Sequence, residues 1–414
     1  MDRSSTNQKA HRFQPEHVAL LTEASVRPCM DRLDAFMDSF LPHFYRTEHR
    51  RHACTIVKGL LSDLKRKTVE PIAIDHNQHR RALQRFVGAG CWDDDDVLGE
   101  LRRQVAREFG DPSGVLIIDP TAFAKKGTGS VGVGRQWCGR LGKVDNCQLG
   151  VFLGYASSSG AALVDRRLYL PKAWTEDRAR MTAAHVPKSV EFQTAGQIAV
   201  ELLERSSAVL PHSWVLADDE FGRATWFRAK VAEIGERYLF DVPSNTRIRV
   251  LEPESTEFMH VSKWAGSQPQ SGWTTFEVAD GHKGPIAIEA IAVPVETRAD
   301  DRVFGKETLL VTRPKGSKDD WKYRLAPASA AELPLAELVR AGGMRHRVEE
   351  LFEEGKGDAG LAHCEVRSWV GWHHHTTLSM LAHFFLTLER KRLEKKDARD
   401  HGVAVGADHR RETA

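Results

Sequence analysis

The sequence predicts an α/β protein: a mixed five-stranded sheet with flanking helices, preceded by an all-helical domain and interrupted by a β-rich insertion. Three observations carry this. Over residues 15–110 apolar side chains recur at three and four positions, the period of amphipathic helices. From Val115 onward the pattern becomes short apolar or alternating runs bounded by turn residues, as in strands. Residues 244–328 are rich in Thr, Val, Ile, Gly and Pro, with alternating runs such as Phe276-Glu277-Val278 and Ile286-Ala287-Ile288.

A chain of 414 residues exceeds the usual span of one domain. The periodicities divide it into a disordered tail (1–14), a helical domain (15–110), the first part of a core (111–243), the insertion (244–330), the core's completion with C-terminal helices (331–396) and a second tail (397–414). In the helical domain, residues 32–41 and 53–64 form amphipathic stripes. The acids Asp93 to Asp96 follow Trp92 and precede an apolar stripe. They read as a helix cap and first turn, where carboxylates meet the positive end of the helix dipole.

Strands are expected at 115–119, 147–155 and 162–170, the last two joined by the turn Ser157-Ser158-Ser159-Gly160. A helix over 194–210, a strand over 214–218, a helix over 223–234 and a strand over 237–242 follow. The order β-β-β-α-β-α-β is that of a ribonuclease H-like core, in which the first and fourth strands are neighbours. Helical periodicity returns at Glu332 and again over 374–396.

Asp119 closes the apolar run Val115-Leu116-Ile117-Ile118, and Asp218 closes Trp214-Val215-Leu216-Ala217. A carboxylate ending a buried strand is costly unless it is paired or binds a cation. Asp218 directly follows its run, whereas Asp219 should point to the opposite face. Glu349 shares a helix face with Arg345, Phe352 and Lys356, at spacings of four, three and four. Two Asp and one Glu delivered by strand, strand and helix form the ligand set of a magnesium-dependent polynucleotidyl transferase. Such a site holds two Mg²⁺ ions, with Mn²⁺ able to substitute.

Other residues fit a nucleic-acid path around these acids. Lys125, Lys126 and Gly127 suit a phosphate backbone passing Asp119. In the insertion Trp264 and Trp273 read as core, while Trp321, flanked by Lys318, Lys322 and Arg324, is placed to stack on an unpaired base. Trp372-His373-His374-His375, with His363 and His383, has no cysteine or carboxylate at metal-ligand spacing. These histidines read as solvated or phosphate-contacting at a helix start. Asp145 and Asp165 read as fixing turns or pairing with Arg166 and Arg167.

Composition is that of a globular protein, 41% hydrophobic and 28% charged. The formal net charge of +2 does not itself announce nucleic acid, but basic residues cluster at 46–51, 65–67, 313–324 and 390–396. Six scattered cysteines without a Cys-x-x-Cys pair, no signal peptide and no window of membrane-crossing length point to a reducing cytoplasm and no membrane partner.

Several stretches resemble the bacterial DDE insertion-sequence transposases of the insertion sequence 701-like family. They include Gly59-Leu60-Leu61-Ser62, Asp119-Pro120-Thr121-Ala122-Phe123, residues 130–137, 141–148 and 164–171, and Ala217-Asp218-Asp219-Glu220-Phe221-Gly222. The resemblance runs over about residues 36–388. It implies Asp119, Asp218 and Glu349 as catalytic and metal-binding triad, and a Tyr-x2-Arg-x3-Glu-x6-Lys signature that Arg345, Glu349 and Lys356 match. Gly342 stands where related groups have Tyr. It further implies cut-and-paste transposition: hydrolysis at terminal inverted repeats, transfer of the freed 3′-hydroxyl to target double-stranded DNA, and a homodimer joining the two ends. Two alternatives are a ribonuclease H or RuvC-like nuclease without strand transfer, against which the long insertion speaks, and a domesticated DNA-binding protein, against which three intact acids speak.

Overall fold

The structure is a computed structural model that describes residues 23–251, 257–281, 284–299, 302–317 and 320–400. The expected tail at 1–14 lies outside these. At the other end the last helix passes the expected limit of 396 and reaches Asp400.

Among the described residues five α-helices come first: α1 (Glu23–Asp38), α2 (Thr47–Leu61), α3 (Val69–Asp75), α4 (Arg80–Ala89) and α5 (Asp94–Phe109). In α5 the Asp93 side chain accepts the Asp95 amide at 2.9 Å, satisfying a donor that the first turn leaves unpaired. Asp94 to Asp96 occupy that first turn, and Val97, Leu98, Leu101, Val105 and Phe109 form the buried stripe.

The chain then builds β1 (Val115–Ala124), β2 (Gly134–Cys138), β3 (Lys143–Ser157) and β4 (Gly160–Tyr169). Three helices follow, α6 (Lys172–Thr175), α7 (Arg178–Ala183) and α8 (Ala195–Ser206), the last closed by a Thr194–Gln197 capping box. Next come β5 (Trp214–Ala217), α9 (Asp219–Gly222), α10 (Thr225–Glu233) and β6 (Tyr238–Asp241). Spatially the order is β4-β3-β1-β5-β6. β1 runs antiparallel to β3 and parallel to β5, and β5 parallel to β6. The short strand β2 pairs with the free edge of β3 ahead of β4 and has no counterpart in the sequence reading.

The insertion comprises β7 (Arg247–Val250), β8 (Met259–His260), α11 (Val261–Gly266), β9 (Thr274–Gly281), β10 (Gly284–Ala299), β11 (Arg302–Pro314) and β12 (Lys322–Pro327). It has its own core around Ile248, Val261, Trp264, Val295, Leu309 and Leu325. It also extends the main sheet, because β12 pairs antiparallel with β6 through Arg324 opposite Asp241 and Leu325 opposite Phe240. The five expected strands thus belong to one twelve-stranded sheet.

The described residues end with α12 (Leu335–Gly343), α13 (His346–Gly357) and α14 (Trp369–Asp400). α13 packs through buried Val348, Leu351 and Phe352, with Phe352 edge-on to Phe152 of β3 at 5.3 Å. α14 buries nearly its whole first half, residues 371–385, against α2, α4, α5 and β4. Among the described residues no helix is long and apolar enough to cross a membrane.

Candidate active site

The site begins where β5 stops. The last parallel pair is Ile118 with Ala217, so Asp119 and Asp218 are the next residues on two adjacent strands. Asp119 does not end its strand, as its sequence context suggests. β1 continues to Ala124 because β3 keeps pairing with it, Asp119 lying opposite Phe152. Only the β5 side opens, and a crevice at the carboxyl end of such a strand is where open α/β sheets bind ligands. Asp218 is also the cap of α9: its Oδ1 accepts the Glu220 amide at 3.1 Å and the Phe221 amide at 3.4 Å. The tight α9 turn depends on Gly222, where a Cβ would lie 1.9 Å from the Asp241 carbonyl oxygen.

Asp119, Asp218 and Glu349 line one cleft of about 850 Å³, which Thr121, Trp137 and Glu220 also line. Glu349 comes from α13 and is the outermost of the three, its side chain 65% exposed against 17% for Asp119. Arg345, at the entry of α13, lies between them. Its Nη1 is 3.5 Å from Asp119 Oδ1, its Nη2 donates to Glu349 Oε1 at 3.3 Å, and its Nε is 3.1 Å from Asp241 Oδ2. Lys356, about two helical turns beyond Glu349, donates from Nζ to Thr121 Oγ1 at 2.6 Å.

Burial, then the neighbouring Asp218 charge and Glu349, push Asp119 up to about 7 against the opposing pull of Arg345 and Lys356. Burial also raises Asp218, more than Arg345 and the two capping amides lower it. Burial alone would lower Arg345, but Asp241, Asp119, Glu349 and Asp218 raise it. Negative charge is therefore crowded into a poorly solvated crevice, the condition in which carboxylates gain most from a hard cation. Asp119 and the second oxygen of Asp218 fit such an ion. Among the described residues no three His, Cys, Asp or Glu side chains enclose a metal position, and Glu349 accepts from Arg345. Arg345 Nη1 is a buried donor without an aligned hydrogen-bond partner, as a phosphate-binding group would be before substrate arrives.

The sequence model of the family described as DDE superfamily endonuclease matches residues 39–271, more than half of the chain. The chain belongs to that family. The matched segment contains Asp119 and Asp218 and ends before Glu349. A probable transposase for insertion sequence element IS701 from Microchaete diplosiphon is 30% identical over 216 residues, 50% of this chain and 51% of that protein. The match thus spans about half the length of that curated relative. Among solved structures, the NurA nuclease from Sulfolobus solfataricus shows a TM-score of 0.26 and 8% identity over 82% of this chain and 100% of that one, too low to bear on the fold.

Not every expected DNA contact of this family member lies at the surface. Lys126 and Lys322 are exposed. Lys125 is half-buried and its Nζ donates to the Cys364 carbonyl at 2.5 Å, so it ties β1 to the segment before α14. Arg324 is only 8% exposed, paired with Asp241 at 2.7 Å, which removes it from the surface. Trp321 is half-buried and packs edge-on against Trp273 at 5.3 Å with Arg313 over its ring. Lys318 lies outside the described residues. Trp264 and Trp273 are core, as expected.

The histidine cluster is corrected too. His373, His374 and His375 are buried in α14, with ring nitrogens 2.9 to 3.0 Å from the carbonyl oxygens of Trp369, Val87, Trp92 and Gly360. Burial holds His373 down at about 3 and His375 at about 4. Selectively labelled His373 and His375 are expected to show no NMR titration between pH 5.5 and 8; a midpoint near 6.5 in either would contradict their burial. His363 accepts the Lys67 amide at Nδ1, and His383 faces Glu354 at 3.2 Å. Asp145 fixes no turn: it lies within β3 opposite Gln136 of β2, where its Oδ1 accepts the Asn146 amide and its other oxygen pairs with Lys143. Asp165 pairs with Arg102 and Arg205 rather than with the side chains of Arg166 and Arg167, which go to Asp94 and Glu201.

Sequence reasoning set Glu220 aside in favour of Asp218 and gave no site role to Asp241 or Trp137. Asp241 closes the apolar run Tyr238-Leu239-Phe240, the same signal that marks Asp218. Glu220 is raised by burial and then by Asp218, which places it within the same field. Trp137 is 61% exposed at the cleft wall, on the strand β2 that the sequence pattern hides.

Proposed function

We propose that the cleft cuts double-stranded DNA at the terminal inverted repeats of an insertion element and transfers the freed 3′-hydroxyl to target DNA. The observation that carries this is the side-by-side placement of Asp119 and Asp218 just past the last parallel pair of β1 and β5, with Glu349 on the facing helix. The strand order β4-β3-β1-β5-β6, with its one antiparallel and two parallel joints around β1 and β5, supports a ribonuclease H-like core. The part-length likeness to the IS701 element's probable transposase supports the substrate class.

Asp119 and Asp218 would hold two Mg²⁺ ions, or Mn²⁺ in their place, with Glu349 turning inward to complete the set. When bound, such ions lower the pKa of the attacking oxygen and neutralise the leaving oxygen. The protein's own groups orient the DNA. Arg345 donates Nη1 to a non-bridging phosphate oxygen, and Arg345 and Lys356 offset the charge of the passing backbone. The amides that hold Asp218 Oδ1 fix the carboxylate in one rotamer, so its other oxygen is aimed before substrate binds. A second protomer would hold the other transposon end.

Purified protein with Mg²⁺, a duplex carrying the sequence that flanks the reading frame and a target plasmid is expected to cut that duplex and join its freed 3′-end to the plasmid, and Asp218→Asn is expected not to. Equal cleavage by both proteins would remove the site assignment. Cleavage without joining would leave the nuclease reading. Lys126→Ala and Lys322→Ala are each expected to weaken DNA binding and to lower the slope of log K against log salt by roughly 0.9, the loss of one phosphate contact. An unchanged slope in filter-binding titrations would take that lysine off the DNA path.

A further inference from the structure

Behind Arg345 stands a second pair of residues, one of them from the insertion. Arg324 on β12 and Asp241 on β6 are directly opposite in the strand register. Arg324 Nε lies 2.7 Å from Asp241 Oδ1, and its Nη1 donates to Thr312 Oγ1 at 3.1 Å. Asp241 Oδ2 in turn faces Arg345 Nε at 3.1 Å, closer than Arg345 approaches either Glu349 (3.3 Å) or Asp119 (3.5 Å). The nearest carboxylate to the guanidinium is thus the acid behind it, while Glu349 is met at 3.3 Å and Asp119 only at 3.5 Å without an aligned hydrogen bond.

Gly342 makes room for this arrangement. A Cβ there would lie 3.1 Å from Arg324 Nη1 and 3.2 Å from its Cζ and Nε, so even the smallest side chain at 342 makes the guanidinium beside Asp241 shift by a few tenths of an ångström. Without that anchor, an arginine beside two carboxylates would close onto them in a tight forked pair, near 2.8 Å. It would then occupy the oxygens that a cation needs.

We propose that Arg324 and Asp241 are positioning residues: together they hold Arg345 across Asp119 and Glu349 without letting it neutralise them, and so couple the inserted strands to the cleavage site. This rests on the reading of the cleft as the phosphodiester-cutting site. Arg324 and Asp241 do not themselves line the cleft. Their effect passes through Arg345.

Removing one partner alone would strand a buried charge, so the main variant is Asp241→Asn/Arg324→Met, which removes both charges together. Mn²⁺ alone is titrated into the full chain by electron paramagnetic resonance, and cleavage of a plasmid carrying the flanking sequence is measured in parallel with Asp218→Asn. The double variant is expected to weaken Mn²⁺ binding about tenfold and lower kcat about tenfold, with KM within about twofold. In an Arg345→Gln background the same pair should add less than about a twofold loss, since the residue it positions is gone. Unchanged Mn²⁺ affinity, or equal losses in both backgrounds, would overturn the proposal. If Asp218→Asn cleaves like wild type, the function reading fails, and the Mn²⁺ titration still decides the relay. Should the double variant not fold, Gly342→Ala takes its place. Alanine favours a helix by up to about 1 kcal/mol over glycine, so weaker Mn²⁺ binding with an unchanged or higher Tm supports the relay, and unchanged binding overturns it.

Discussion

Asp119→Asn is expected to lower DNA cleavage by roughly 10³-fold or more, about 4 kcal/mol of barrier, while making the cation-free protein more stable. Both effects have one cause. Asp119 is 83% shielded from solvent in a crevice shared with Asp218, and its carboxyl is pushed up to about 7. An amide of the same shape keeps the packing and loses the charge, so it removes the function together with the strain of holding it.

The pH dependence follows from the sign of that shift. A carboxyl whose folded pKa is about 7 binds its proton more tightly folded than unfolded, where an Asp sits near 3.9. Its contribution to stability is therefore full below about pH 4 and is lost as pH rises through about 7, at a limiting slope of roughly 1.4 kcal/mol per pH unit. Water in the open cleft reduces the total, so roughly 1–3 kcal/mol is expected rather than the full span. Thermal melts at pH 8 without divalent ions should show Asp119→Asn above wild type, and melts at pH 4 should show them level. Mg²⁺ or Mn²⁺ at pH 8 should raise the wild-type Tm, by about 2.7 kcal/mol of stabilisation at a hundredfold excess over Kd, and leave Asp119→Asn unmoved. A variant that melts below wild type at pH 8, or responds equally to the ions, would mean that Asp119 is not the crowded cation ligand we propose.

What was legible in the sequence is what local pattern encodes. An apolar run ending in an acid marks a strand delivering a carboxylate, and this located Asp119 and Asp218. The helical period put Arg345, Glu349 and Lys356 on one face. What local pattern does not encode is which distant segment supplies a partner. The insertion reads as β-rich, but nothing in residues 322–327 says that they will pair with β6 and carry Arg324 under Arg345. Arg324 and Lys125 look like surface bases because their partners, Asp241 and the Cys364 carbonyl, come from far along the chain. The departure at Gly342 acquires its reason only in three dimensions, since the Arg324 guanidinium fills the space a larger side chain would take. His373 to Thr377 look polar and solvated. They are buried because α14 is surrounded and each polar group meets a partner inside, most often a carbonyl. Strand β2 escaped because alternate residues of Gly134-Arg135-Gln136-Trp137-Cys138 face solvent at an edge, with no apolar face to betray a strand.

Asp165→Ala is expected to cost about 3–5 kcal/mol of stability and to leave little soluble protein, with no rescue by divalent ions. Asp165 is fully buried on β4, its two oxygens on Arg102 at 2.9 Å, Arg205 at 3.1 Å and the Arg166 amide at 2.8 Å. Arg166, equally buried, carries the network on to Asp94 and to Thr376 and Thr377 of α14. Burial alone would raise Asp94, yet Arg166 and the neighbouring histidines hold it at about 2. One cluster thus joins α5, β4, α8 and α14, and β4 lies two strands from Asp119. Arg205 can return to water, being 36% exposed, but Arg102 at 9% cannot. The cost therefore lies in Arg102 left charged and unpaired, more than in the lost attraction. If so, Arg102→Met/Asp165→Leu should recover at least about 2 kcal/mol relative to the sum of the single variants, because contacting charges removed together leave no orphan. Urea denaturation of the three proteins measures this directly. Additive losses, or a loss under about 1 kcal/mol for Asp165→Ala, would mean that packing of the apolar faces, rather than this buried network, fastens the helical domain to the sheet that carries the cleft.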